Sequence, residues 1–84
     1  SLLRAALALD VVLDADWLDP ETPVLVVGVW DTGESRDPLA RRICTTALEL
    51  GFEGMQIHIM EQPSGAPVLG SRRRLGYARC LPQQ

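Results

Sequence analysis

Apolar residues fall at every second position early in the chain: Leu9, Val11, Leu13, Ala15 and Trp17, with Asp10, Val12, Asp14, Asp16 and Leu18 between them. A period of two that includes β-branched and aromatic residues predicts a strand with one wet face over Leu9 to Leu18. The good helix formers of Leu2 to Ala8 predict a short N-terminal helix, and one helix running on to Trp17 is the competing reading. Asp19-Pro20-Glu21-Thr22 has the Asp and Pro of a type I turn, so a hairpin follows. Val24 to Trp30 is apolar on both faces, as a central strand covered on each side requires. Pairing Leu18 with Pro23 sets Trp17 opposite Val24 and stacks Leu13, Ala15, Trp17, Val24, Val26, Gly28 and Trp30 on one face. A slip of one residue reverses that face, and the residues alone do not fix the parity.

Asp31 to Arg36 is polar loop. Asp37-Pro38 then gives an N-cap followed by Pro at the first helical position, and Gly51 gives the stop. Between them Leu39, Ala40, Ile43, Cys44, Ala47, Leu48 and Leu50 form an apolar stripe at helical spacing. Alternation returns in Met55 to Glu61, with Met55, Ile57 and Ile59 on one side and Gln56, His58 and Met60 on the other. Gln62 to Ser71 holds Pro63, Gly65, Pro67 and Gly70 and reads as loop, Arg74 to Cys80 reads as a closing strand, and Leu81 to Gln84 as a frayed tail. The order ββαββ predicts an α+β two-layer sandwich. One main helix lies on a small mixed sheet, in a β-grasp-like or incomplete ferredoxin-like layout.

Eighty-four residues make a single domain with one modest core, residues 1–84, which leaves no room for separate cofactor and substrate lobes. Ser1 to Leu9 reads as a boundary within a longer protein. Neither uncharged stretch, Thr22 to Trp30 or Gln62 to Ser71, approaches the roughly 18 apolar residues of a membrane span. Membrane contact is therefore expected only through a segment outside this chain. All eight basic residues are Arg, which points to a GC-rich bacterial coding sequence and removes every mechanism that needs an amine: Schiff bases, a P-loop lysine, lysine-assisted phosphatase schemes.

The net charge of -3 divides unevenly, with -6 over residues 1–37 and +3 over residues 38–84. That layout implies an acidic and a basic face. The one basic cluster, Arg72, Arg73 and Arg74 with Arg79 further on, suits the acidic surface of a protein partner or guards a sheet edge against aggregation. Anion or nucleic-acid binding through it is the alternative, against which the acidic background weighs. Trp17 and Trp30 are core if both face the helix. If the helix packs on Leu25, Val27 and Val29, they form an exposed patch that marks an interface.

Cys44 and Cys80 fit no zinc or redox spacing and allow one intramolecular disulfide. A bridge would suit a periplasmic or other extracytoplasmic compartment, and two buried thiols a cytoplasmic one. His58 is the only imidazole. With Cys44 on the apolar stripe it makes a poor nucleophile and base pair. Asp14-Ala15-Asp16 lacks the third ligand and the Gly of a calcium loop, and reads as two carboxylates on a solvated strand face. No catalytic residue, metal or cofactor is expected. The sequence supports a non-catalytic protein-binding or assembly module, acting on a protein partner or by self-association.

Overall fold

Four strands, β1 (Asp14–Trp17), β2 (Val24–Val29), β3 (Gln56–Glu61) and β4 (Arg74–Arg79), form one sheet in the order β1-β2-β3-β4 in the computed structural model. It describes residues 1–18, 21, 23–62, 67–71 and 73–82. Two helices, α1 (Leu2–Leu7) and α2 (Asp37–Glu49), and a 3-10 turn at Val68–Gly70 complete the elements. β1 runs antiparallel to β2, β2 parallel to β3, and β3 antiparallel to β4. This is the α+β, ββαββ arrangement that the apolar pattern predicts, with the short N-terminal helix in front. The sequential order makes β1 and β4 the two edges of the sheet.

β2 is buried at every position. Its Leu25, Val27 and Val29 meet Leu39, Ala40, Ile43, Cys44 and Ala47 of α2, and Ile57 and Ile59 of β3 join them in the main core. α2 starts at Asp37 with Pro38 in its first turn, and the Ser35 hydroxyl accepts the Asp37 N–H at 3.2 Å. It stops because Gly51 adopts a φ of +90°, a backbone shape that costs a residue without Cβ nothing. The Phe52 N–H then reaches the Ala47 carbonyl at 2.9 Å and the Gly51 N–H the Leu48 carbonyl at 3.0 Å, satisfying two carbonyls of the last turn. Leu50, expected on the apolar stripe, is the C-cap residue just after the helix and is exposed.

α2 leans on β4 at Gly76, where a Cβ would run into the backbone of Arg36, 2.6 Å from its carbonyl oxygen. A disulfide joins Cys44 of α2 to Cys80 just after β4, with Cα atoms 4.9 Å apart. Of the two cysteine states open to the sequence, the bridged one is present, and it links the two layers covalently.

The N-terminal alternation overstates its strand. Only Asp14–Trp17 pairs with β2; Leu2–Leu7 is helical, and Val12 rather than Val11 or Leu13 is buried. Chain reversal between α1 and β1 turns Val12 inward, and the Leu13 N–H closes the ladder on the Gly28 carbonyl at 2.8 Å. The register is shifted as well: Trp17 pairs with Leu25, and the Leu18 N–H bonds the Val24 carbonyl at 2.9 Å. Ala15 and Trp17 therefore share the helix-facing side with Leu25, Val27 and Val29, and Val24, Val26 and Gly28 point the other way. Most of the expected Asp19 to Thr22 turn lies outside the described residues.

Candidate functional site

With the helices on one face, the sheet's other face must be finished by loops or left open. Over β1 and β2 it is finished. Val68, at the start of the 3-10 turn, is buried against Val24 and Val26, and its N–H donates to Asp14 Oδ2 at 3.3 Å. Gln62 lies across Gly28, its Cβ 2.9 Å from where a Gly28 Cβ would stand. The segment expected to be plain loop thus contributes a second, smaller core.

Over β3 and β4 no described residue plays this part. The alternation of β3 puts Gln56, His58 and Met60 on this face, all half-buried. Across from them, a bulge shifts the register between Ile59–Gly76 and Met60–Arg74, which brings Arg74 and Tyr77 onto one face although they are three residues apart. The His58 and Tyr77 rings meet edge to face with centroids 5.1 Å apart. The Arg74 guanidinium carbon lies 5.1 Å from the Tyr77 ring centroid on a cation–π contact. The His58 Nε2–H donates to Gln56 Oε1 at 3.1 Å. Burial, and then the positive charge of Arg74, lower the His58 pKa below its ordinary 6.5, so the ring is neutral at pH 7.

That arrangement is suited to contact. His58 bonds an amide, and among the described residues no carboxylate hydrogen-bonds it and no three His, Cys, Asp or Glu side chains converge as metal ligands. The pairing of Cys44 as nucleophile with His58 as base falls away because the Cys44 sulfur is bonded to Cys80.

The outer edge of β4 is half closed. The Arg36 N–H donates to the Leu75 carbonyl at 2.9 Å, and the Tyr77 N–H donates to Asp37 Oδ1 at 2.8 Å. Asp37, read from the sequence as the cap of its own helix, spends its carboxylate on the neighbouring strand.

The residues singled out in the sequence do not form one site. Arg74 projects from β4 on the open face, and Arg79, at the end of the same strand, is also exposed. Arg73 is neutralised by Asp31 at 2.9 Å and by Glu61 at 3.6 Å, and Arg72 lies outside the described residues. Trp17 packs on the helix side, its ring centroid 6.4 Å from that of Phe52. Trp30 lies past the far end of β2, 57% exposed, its carbonyl accepting from Arg36 Nη2 at 3.1 Å. The two tryptophans are thus a strand's length apart, because the register places Trp17 at the opposite end of the ladder. Comparison of the chain with family models, with curated proteins and with solved structures finds no match.

Proposed function

We propose that this is a non-catalytic protein-binding module that contacts its partner through the β3–β4 half of the open sheet face, within a larger bacterial protein and in an oxidising, extracytoplasmic compartment. The observation that carries the reading is the group of half-buried Tyr77 and His58 with exposed Arg74, bordered by Met60 where the Val68 cluster ends, on the part of the sheet face that no described element covers. Tyr, Met and Arg are the residue types enriched where proteins meet, and a ring already held by neighbours loses little freedom on binding. Trp30 adds exposed apolar area beyond the end of β2. The disulfide supports the compartment, since such bridges persist where thiols are not kept reduced.

Selection of binders from a displayed protein library against the folded domain tests this. Binders are expected to gather on the open face and to weaken at least about tenfold on Tyr77→Ala, a loss of about 1.4 kcal/mol. Binders indifferent to Tyr77→Ala and Arg74→Ala would sink the reading.

Arg74 and Arg79, neither with an ion-pair partner among the described residues, favour a second reading as an anion or nucleic-acid site. The ion pairs of Arg73, the Tyr77 ring already engaged by Arg74 and the net charge of -3 all weaken it. Titration with single- and double-stranded oligonucleotides at low salt separates the two, because phosphate contacts give steeply salt-dependent binding.

A further inference from the structure

β4 is an edge strand whose first half is shut and whose second half is not. The Tyr77 N–H points outward to Asp37, and the Cys80 N–H points inward to the Met55 carbonyl at 2.7 Å. By the alternation of an antiparallel ladder, both backbone groups of Arg79 point outward, like those of Tyr77. Among the described residues they take no partner outside the sheet.

A groove of about 590 Å³ runs along this stretch. One wall is a stripe of α2, Arg41, Cys44, Thr45 and Leu48, at the spacing of one helix face, and the other is the chain from Ala78 to Pro82, with no residue of β1, β2 or β3 in the lining. The floor is the disulfide. Arg41 and Arg79 are among its lining residues, Arg41 from the helix and Arg79 from the strand edge, where its pairing with Gln56 turns its side chain to the open face; neither has an ion-pair partner among the described residues. Arg41 belongs to the end of α2 that meets Tyr77, whereas Glu53 lies beside Gly54, whose N–H bonds the Cys80 carbonyl at 2.7 Å. The groove is therefore basic at one end and acidic at the other.

We propose that this groove takes an extended, acidic-and-apolar segment of a partner protein, which adds to the sheet as a strand beside β4. The proposal rests on the protein-binding reading and names its partner. One residue of the incoming strand exchanges both hydrogen bonds with Arg79, its carboxylates meet Arg79 on the open side of the sheet, and its apolar side chains lie against Leu48 and Ala78 on the helix side. A free backbone edge between a strand and a helix supplies affinity without sequence, and the charges supply the choice.

A second copy of the chain is a poorer occupant. Pairing β4 with β4 sets Arg79 near Arg79, which is how edge charges oppose self-pairing. The acidic edge β1 is spent, since the Trp17 N–H bonds Asp16 Oδ1 at 2.8 Å and Ala15 is buried.

The probe is an acetylated, amidated hexapeptide of alternating valine and glutamate, titrated against the isotope-labelled chain with its disulfide intact. Saturable shifts largest at the Arg79 and Leu81 amides are expected. Affinity should fall about tenfold for Arg79→Glu and rise for Glu53→Gln. A peptide N-methylated at alternate residues keeps every charge but cannot pair as a strand, and should not bind. Absent saturation, equal binding of the methylated peptide, or a dimer in sedimentation that Arg79→Glu abolishes would each overturn the groove. Library binders that need Tyr77, alongside a hexapeptide that fails, remove the groove and leave the protein-binding reading standing. Binders indifferent to Tyr77 and Arg74 remove the open-face reading whatever the hexapeptide does.

Discussion

Leu25, Val27, Val29, Ile57 and Ile59 meet α2 on one face of the sheet, while the reverse of the same two strands packs Val24, Val26 and the flank of Met60 with Val68 but leaves His58 beside Tyr77 at the surface. Both faces are built from β2 and β3, so the difference comes from alternation within each strand and from what the chain lays over it. The helix side is apolar against apolar and fixes the fold. The far side is apolar only where the 3-10 turn reaches, and past that point it turns aromatic and cationic. On the reading proposed above, stability and recognition are divided between the two sides of single strands, a residue apart.

The comparison breaks first on large truncations. Ile59→Ala should cost about 2–5 kcal/mol in urea denaturation, because it opens a cavity in the helix-side core. Tyr77→Ala should cost no more than about 1.5 kcal/mol, the size of an aromatic pair. Equal costs would mean that the open face is part of the core and would end its reading as a contact surface.

Two glycines sharpen the contrast. Gly76→Ala pushes a methyl into the Arg36 backbone at the start of α2, which cannot yield, so a loss of about 1–3 kcal/mol in thermal unfolding is expected. Gly28→Ala meets the side chain of Gln62, whose amide can swing away although its Cβ must shift with the loop, and should cost less than Gly76→Ala, about 1 kcal/mol.

The smallest effect is one of pH. His58 holds its proton more weakly in the folded chain than in the unfolded one, owing to burial and then to Arg74. In the window between the ordinary 6.5 and the lowered value the unfolded chain binds more protons, so stability rises with pH there and is lost as pH falls. His58→Gln should flatten that slope. An unchanged slope would show that the ring is not coupled to folding.

Much of the helix-covered side was legible in the residues. Val24 to Val29 could only be a central strand, Pro38 and Gly51 bracket α2, and the alternation of Met55 to Glu61 sorts Ile57 from His58 with the correct parity. The hairpin was not legible, because alternation gives the period of a strand but not where pairing ends, and one residue of register moves Val24 from one face to the other. Val68 escaped notice since a single apolar residue among Pro and Gly has no period to betray it. On the open face, the meeting of Arg74 with Tyr77 depends on a bulge that no spacing announces. Arg41 and Arg79 stand 38 positions apart in the chain, and only the docking of α2 beside β4 brings them to one groove.

The bond between Cys44 and Cys80 has a mechanical consequence. Tension applied along the chain at Leu81 passes through sulfur into the middle of α2 instead of peeling β4 from β3 one hydrogen bond at a time. The 36-residue segment between the two sulfurs is shielded from the load, so β3 and β4 bear none of it while the bridge holds. Extending the chain under force should release roughly 120 Å less contour with the bridge intact than after reduction, at about 3.3–3.6 Å per residue. The edge strand is therefore held out of the load path, and its hydrogen bonds to β3 persist under tension for as long as the bridge stands.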